Sequence, residues 1–200
     1  MLDYTFDEKY RENYGAVCGT DEAGRGPLAG PVAAAAVILP AGLVIEGLDD
    51  SKKLSEKKRE RLFDEIISSS LAYSVALSSP ELIDGVNILN ASLDAMRRAV
   101  EEVSARITPG IVLVDGNRNT DFGVYSETVV KGDGVSQSIA AASVLAKVTR
   151  DRIMLGYDAE YPEYGFAKHK GYPTKEHMEA VRRLGPCPIH RKSFLGFLDR

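Results

Sequence analysis

The chain has 200 residues, of which 44% are hydrophobic and 27% charged, and its formal net charge is -4. These values are ordinary for one globular domain, which at this length can bury roughly 70% of its unfolded surface without disulfides or a structural metal. The longest apolar stretch, residues 31–43, is too short to cross a bilayer, and the acidic N-terminus does not resemble a signal peptide. Cys18 and Cys187 have no paired spacing, which predicts free thiols in a reducing, cytoplasmic setting.

The first third of the chain predicts three strands and one helix. An apolar run at residues 17–21 predicts a buried strand that is broken by the glycines after it. Residues 32–39 predict a second strand, although four consecutive alanines leave a helix as the alternative. Apolar side chains at helical spacing after Ser55 predict an amphipathic helix with Ser55 as its N-cap. Residues 72–78 predict the third strand.

A helical region follows from Pro80, with residues 88–103 as its main part. Residues 111–114 form a continuous apolar run, which is typical of a central strand covered on both faces.

A fifth strand is predicted at residues 122–130, and a helix rich in small residues from Ser136 towards Leu155. The remainder is predicted to be loop and helix, with any subdomain boundary at residues 156–165. This order of elements predicts an α/β domain around a mixed sheet.

Acidic residues stand beside glycines at three places, as Asp21-Glu22, Asp115 and Asp133. Carboxylates at strand ends and loops are the ligands that Mg²⁺ prefers, and two such ions can activate a water and stabilise the transition state of phosphodiester hydrolysis. An isolated Asp-Gly pair more commonly makes a turn. Three of them from separate elements predict a metal-dependent nuclease.

Glu22 raises a geometric question. Adjacent strand residues point to opposite faces. Glu22 can therefore join Asp21 in one site only if the backbone leaves the strand between them, or if Glu22 contributes its carbonyl. Both alternatives stay open.

The next residues, Gly24-Arg25-Gly26, form a different device. Glycines let the backbone approach a ligand closely, and arginine offers a forked donor for phosphate. A lone Gly-Arg-Gly is a common turn. Beside a metal centre it predicts contact with nucleic-acid backbone and sugar, where the 2′-hydroxyl distinguishes RNA from DNA.

Charge is unevenly distributed along the chain. Residues 1–50 hold three basic and nine acidic residues, whereas residues 51–61 hold six basic and two acidic, and residues 168–200 eight basic and three acidic. Such a chain can bind a polyanion despite its negative total. The alternative for residues 51–61 is a solvated helix face.

Seven blocks between residues 17 and 194 together resemble the bacterial-type ribonuclease HII family. They are, in order, DEAGRGPLAGPV, DDSKKLS, NILNASLDAM, VDG, KGDGVSQSIAAASVLAKVTRD, YPEYGFAKHKGYPT and LGPCPIHRKSF. The resemblance implies a ribonuclease H-like five-stranded mixed sheet flanked by helices, with a C-terminal helical region. It implies a catalytic domain at residues 1–160, with residues 161–200 packed on it and contributing to substrate binding.

The same resemblance implies an endonuclease that cuts the RNA strand of RNA–DNA hybrids and single ribonucleotides embedded in duplex DNA. The implied products carry 5′-phosphate and 3′-hydroxyl ends. The implied cofactors are two divalent cations, Mg²⁺ or Mn²⁺. Nucleic acid is the expected partner of a monomer that does not bind membranes.

The family's functional positions carry over by matched motif. Its four acidic catalytic and metal-binding positions are Asp21, Glu22, Asp115 and Asp133. Gly24, Arg25 and Gly26 match its motif that contacts the 2′-hydroxyl. Tyr172 matches the tyrosine that stacks on the sugar of the adjoining deoxynucleotide; packing against Pro173 is the alternative. The residues expected to hold phosphates are Lys52, Lys53, Ser136, Ser138, Lys147 and Arg150, with a solvated surface role as the alternative for the lysines and the arginine.

Other readings are less favoured by the sequence. The spacings of His169, His177 and His190 fit no helical ligand pair, which disfavours zinc. Only about sixteen residues precede the first strand, which disfavours the N-terminal extension of ribonuclease HIII, and the tail has no Gln-led sliding-clamp motif. A ribonuclease H-like DNA nuclease, such as a junction resolvase, and a catalytically dead hybrid-binding module are the competing functions.

Overall fold

The computed structural model describes residues 2–199. Met1 and Arg200, which fall within the predicted residue ranges 1–160 and 161–200, lie outside the described residues. The strands are β1 Val17–Ala23, β2 Val32–Ile38, β3 Ala72–Ser78, β4 Ile111–Asp115 and β5 Ser126–Val129. The helices are α1 Phe6–Tyr14, α2 Glu56–Ser69, α3 Pro80–Val86, α4 Ile88–Ser104, α5 Gln137–Glu160, α6 Phe166–His169 and α7 Lys175–Leu184. Short 3₁₀ turns lie at Gly132–Gly134, Pro162–Tyr164 and Lys192–Phe194.

The strands form one mixed sheet in the order β3-β2-β1-β4-β5. β1 pairs antiparallel with β2, and β2 antiparallel with β3, whereas β4 runs parallel to both β1 and β5. This confirms the predicted five-stranded mixed sheet. The parallel pairing of β1 with β4 matters most for function because it brings the ends of two strands that carry acidic residues to the same edge.

β2 is a strand despite its four alanines, so the helical alternative is wrong. Its residues are fully buried on both faces of the sheet. Ala35 and Val37 pack in the cluster that includes α2 and α5, whereas Ala34, Ala36 and Ile38 pack against α4. Two-sided burial in the sheet outweighs the helix preference of alanine, and the small side chains let both helical layers approach closely.

The close packing of α5 on the sheet is clearest at Gly19 of β1. A Cβ atom there would lie 2.2 Å from the backbone carbonyl carbon of Ser138. Glycine therefore permits direct contact between the start of α5 and the centre of the sheet. This contact fixes the turn that precedes α5, and with it Asp133.

The remaining differences from prediction are one helix that was not predicted and the ends of two other elements. α1 was not predicted; its Asp7 is buried and accepts a hydrogen bond from the backbone N–H of Ser138 in the first turn of α5. β5 is shorter than predicted, and α5 extends to Glu160 rather than stopping near Leu155. The predicted N-cap of α2 is confirmed, because Ser55 accepts from the N–H of Lys58. None of the helices within residues 2–199 combines the length and apolar character needed to cross a membrane.

Candidate active site

Three aspartates converge where β1, β4 and the turn before α5 meet. The register of the parallel pair sets Thr20 opposite Val114, so that Asp21 and Asp115 follow side by side. Asp133 comes from the 3₁₀ turn Gly132–Gly134. Carboxylate oxygens of the three aspartates lie within 4.8 Å of one another, the one such group of three or more acidic, His or Cys side chains between residues 2 and 199.

Each carboxylate is anchored through one oxygen. Asp21 Oδ1 accepts from the N–H of Glu22 at 2.7 Å, and Asp115 Oδ1 accepts from the N–H of Asp133 at 3.3 Å. Asp133 Oδ2 accepts from Lys52 Nζ at 3.3 Å. Backbone N–H groups thus orient Asp21 and Asp115, Lys52 orients Asp133, and each carboxylate keeps a second oxygen for a ligand.

The cluster holds more negative charge than its surroundings neutralise. Burial, with the nearby charges of Glu22 and Asp115, raises the pKa of Asp21 well above its ordinary value. Burial and Asp115 likewise raise the pKa of Asp133, against the opposing effect of Lys52. Buried like charges must bind protons or a cation. The oxygen-only donor set fits a hard divalent cation such as Mg²⁺ or Mn²⁺.

Glu22 lies outside the group of three converging aspartates, although its side chain lines the same cleft as Asp21 and Asp115. β1 stays regular through Ala23, so the backbone does not leave the strand between Asp21 and Glu22. The Glu22 side chain lines a small cavity of about 60 Å³ beside Leu93 and Met96 of α4. Its Oε1 lies 3.4 Å from Arg25 Nη1, and burial raises its pKa despite that arginine. Of the two routes by which Glu22 could join the site, the structure thus removes the first.

A cleft of about 400 Å³ opens beside Asp21 and Asp115. The predicted residues that line it are Asp21, Glu22, Gly24, Arg25, Gly26, Lys52, Asp115, Lys147 and Tyr172. Sequence reasoning missed the other lining residues, which are the apolar Ala23 and the polar Ser51, Arg59 and Ser143. A neighbouring cavity of about 620 Å³ contains Asp115 and Asp133 together with Lys52, Lys53 and Lys131. The aspartate cluster therefore lies between two openings that are lined by basic side chains.

The predicted substrate lysines differ in their surroundings. Lys52 is mostly exposed, and the charges of Asp133, Asp21 and Asp50 raise its pKa although partial burial opposes them. Lys53 pairs with Asp49 at 3.2 Å on the rim of the larger cavity. Lys147 donates to Asp151 at 2.8 Å, with its Nζ 5.9 Å from the centre of the Tyr172 ring.

The Gly-Arg-Gly segment is held from behind by a buried arginine that the sequence reasoning did not single out. Arg191 donates from Nε to the Gly30 carbonyl, from Nη1 to the Arg25 carbonyl and from Nη2 to the Gly24 carbonyl, at 3.0, 3.1 and 2.6 Å. Burial lowers the pKa of Arg191 to about 9. The only sequence signal that could have pointed to Arg191 was its position in the matched LGPCPIHRKSF block.

Arg150 has a structural role rather than the predicted phosphate contact. It is 1% exposed, and its guanidinium donates to the carbonyls of Ala29, Pro31 and Lys170 at 2.9–3.0 Å. Three of its five N–H donors are thus engaged by backbone carbonyls, and Arg150 is not among the residues that line the cleft. Arg150 thus ties the Gly-Arg-Gly side of the cleft to the turn that carries Tyr172.

The predicted phosphate contacts of Ser136 and Ser138 also find no support, because both side chains are fully buried. Ser136 caps α5 by accepting from the N–H of Ile139. Ser138 packs under the sheet at Gly19. Their place in a matched block reflects the packing of α5.

Behind Tyr172, the three histidines form a compact cluster. The His169 and His177 rings stack with centroids 4.3 Å apart, and His177 Nε2 lies 3.1 Å from His190 Nε2. In the described part of the chain, these histidines do not bring three ligand atoms close enough together to hold a metal ion. Burial, with smaller effects of His169 and His190, lowers the pKa of His177 to about 4, and burial lowers the pKa of the other two.

The cluster predicts a loss of stability in acid. A histidine whose folded-state pKa lies below its unfolded value of about 6.5 stabilises the fold above pH 6.5, and this stabilisation is lost as the pH falls towards 4. Between about pH 7.5 and pH 5, wild type should lose about 1–2 kcal/mol more unfolding free energy than His177→Gln. Urea unfolding of both proteins at both pH values measures this. The carboxylate contributions cancel in the comparison, and equal losses would contradict the prediction.

Comparisons with known proteins agree on one family. A family model described as ribonuclease HII matches residues 18–196. The ribonuclease HII of Citrifermentans bemidjiense is 58% identical over 186 residues, which cover 93% of this chain and 80% of that protein.

Among solved structures, the ribonuclease H2 of Pyrococcus horikoshii OT3 matches with a TM-score of 0.75 and 27% identity, covering 92% of this chain and 97% of that one. A chain in the structure of the complex of PCNA with ribonuclease HII from Archaeoglobus fulgidus matches with a TM-score of 0.70 and 25% identity. The match covers 92% of this chain and 97% of that one. The family model spans nearly the whole chain and includes all three converging aspartates: the chain belongs to the ribonuclease HII family.

Proposed function

We propose that Asp21, Asp115 and Asp133 hold two divalent cations with which this ribonuclease HII cleaves RNA in RNA–DNA hybrids and at ribonucleotides embedded in duplex DNA. The convergence of three carboxylates within 4.8 Å, at an edge open to the cleft, carries the proposal. Bound cations supply an activated water and stabilise negative charge on the phosphate. Glu22, beside Asp21 and paired with Arg25, contributes its charge or its carbonyl.

Recognition of the ribose is assigned to Gly24-Arg25-Gly26 and Tyr172, which line the same cleft. A Cβ atom at Gly26 would lie 3.7 Å from Tyr172 Cε1, so the glycine leaves a narrow space beside the tyrosine ring. Arg191 and Arg150 hold the backbone around this space. A ring flat on a sugar excludes a 2′-hydroxyl, so Tyr172 selects deoxynucleotide downstream while Gly24-Arg25-Gly26 selects ribonucleotide upstream.

Phosphate contacts are assigned to the lysines that line the two openings, the exposed Lys52 and Lys53 and the half-buried Lys147. Residues 161–199 take part in binding because they supply Tyr172. We expect the catalytic part to correspond to residues 1–160, the enzyme to act as a monomer in the cytoplasm, and the products to carry 5′-phosphate and 3′-hydroxyl ends.

A pair of duplexes tests the proposal. One carries a single ribonucleotide, and its twin is DNA throughout. With Mg²⁺ or Mn²⁺, the ribonucleotide duplex should be cut at least about 10²-fold faster, since a site built to bond a hydroxyl rejects the analogue that lacks it. Equal cleavage of both would favour a DNA nuclease of the resolvase type. Tight binding without turnover in either metal would favour a binding module.

A further inference from the structure

The backbone of Tyr172 is fixed on both sides by the histidine cluster. Its N–H donates to the backbone carbonyl of His169 at 2.9 Å, and its own carbonyl accepts from the N–H of Thr174 at 2.8 Å and lies 2.9 Å from His177 Nδ1. The side chain itself is 41% exposed at the rim of the cleft. The orientation of an exposed ring is therefore set by a turn that the buried histidines hold.

The hydrogen bonds determine which nitrogen of each histidine carries the proton. The backbone N–H of Cys187 points at His190 Nδ1 at 3.0 Å, and an N–H can only donate, so Nδ1 is an acceptor. The Cys187 carbonyl also lies 3.3 Å from Nδ1 but can only accept, and the Cys187 thiol, with Sγ 3.1 Å from Nδ1, can donate its S–H there, so neither opposes the acceptor role of Nδ1. In neutral His190 the proton is then on Nε2, which donates to His177 Nε2 at 3.1 Å.

The same logic continues through His177. Because its Nε2 accepts from His190, its own proton is on Nδ1, which donates to the Tyr172 carbonyl. A chain of hydrogen bonds thus runs in one direction, from Cys187 through His190 and His177 to Tyr172. Its two ends are backbone groups with fixed roles, which leave one arrangement of protons for neutral rings.

We propose that His177, held in the Nδ1–H form by His190 and Cys187, is a positioning residue that fixes Tyr172 beside Gly26. It thereby contributes to the preference for a deoxynucleotide downstream of the cut. This inference rests on the proposed function, in which Tyr172 packs on that sugar. His177 is fully buried and does not line the cleft, so any effect on substrate reaches it through Tyr172.

Two substitutions of similar size separate positioning from stability. His177→Asn can place an amide N–H near the Nδ1 position and keep the bond to the Tyr172 carbonyl, whereas His177→Gln carries its amide towards His190. Both lose the ring stacking with His169. The readout is the ratio of kcat/KM for a duplex with one embedded ribonucleotide to kcat/KM for a hybrid with a uniform RNA strand.

His177→Gln should lower this ratio about five- to tenfold, the effect of one lost hydrogen bond, while His177→Asn stays within about twofold of wild type. In a Tyr172→Ala background the His177→Gln effect should vanish. Equal losses in both variants, or an undiminished effect without the tyrosine ring, would mean that His177 serves stability alone.

A measurement on the wild-type protein stands even if a variant fails to fold. Histidine ¹⁵N NMR should find His177 protonated at Nδ1 and His190 at Nε2, and the opposite forms would overturn the inference. Failure of the proposed function would look different, as the absence of any cleavage that depends on a ribonucleotide.

Discussion

Replacing Asp21 with asparagine is expected to abolish cleavage and, at the same time, to stabilise the metal-free protein. Activity should fall by at least about 10³-fold, because a cation ligand that stabilises the transition state is lost. The gain in stability follows from the raised pKa of the buried Asp21 carboxyl. An acid with a raised folded-state pKa destabilises the fold once the pH exceeds its unfolded-state pKa. Replacing it with a neutral amide should therefore raise the unfolding free energy of the metal-free protein by about 1–3 kcal/mol near neutral pH.

Cleavage assays and thermal unfolding with and without Mg²⁺ or Mn²⁺ test both effects. The metal should raise the melting temperature of wild type and raise that of Asp21→Asn much less. Asp64→Asn is the control, since Asp64 is exposed on α2 and should change neither quantity. Full activity of a folded Asp21→Asn protein would contradict the assignment, and a lower metal-free melting temperature would contradict the electrostatic argument.

The residues of the metal cluster were predictable because glycines and apolar runs mark strand ends locally. The sequence could not supply the register that sets Thr20 opposite Val114, and this register brings Asp21 beside Asp115. The histidine cluster shows the same limit. Spacings of 8 and 13 fit no helical ligand pair, yet the turns between α5 and the C-terminus bring His169, His177 and His190 together.

Errors arose where a matched block was taken to mean contact with substrate. Ser136, Ser138 and Arg150 lie in such a block, but each is buried and bonded to, or packed against, the backbone. A residue type compatible with phosphate binding does not reveal burial, which depends on the packing of α5 against β1. Arg191 was overlooked for the complementary reason, since nothing local indicates that its partners lie more than 160 residues away.

The two glycines of Gly24-Arg25-Gly26 are expected to respond in opposite ways to alanine. Gly24 has φ +101°, and a Cβ there would lie 2.1 Å from Arg150 Nε, a side chain that its own hydrogen bonds hold in place. Gly24→Ala should therefore cost about 2–4 kcal/mol of stability. At Gly26 no such strain exists, and a Cβ would make only ordinary contact with Tyr172 at 3.7 Å. Gly26→Ala should leave stability unchanged or raise it by about 0.4–1 kcal/mol.

Gly26→Ala should nevertheless lower kcat/KM at an embedded ribonucleotide by about tenfold or more, because its methyl group enters the space where the ribose is proposed to lie. Urea unfolding and cleavage assays on both variants separate the two glycines. A Gly26→Ala protein with normal cleavage would remove that segment from ribose recognition. A stable Gly24→Ala protein would show instead that Arg150 can move, and that the support behind the motif is less rigid than its hydrogen bonds indicate.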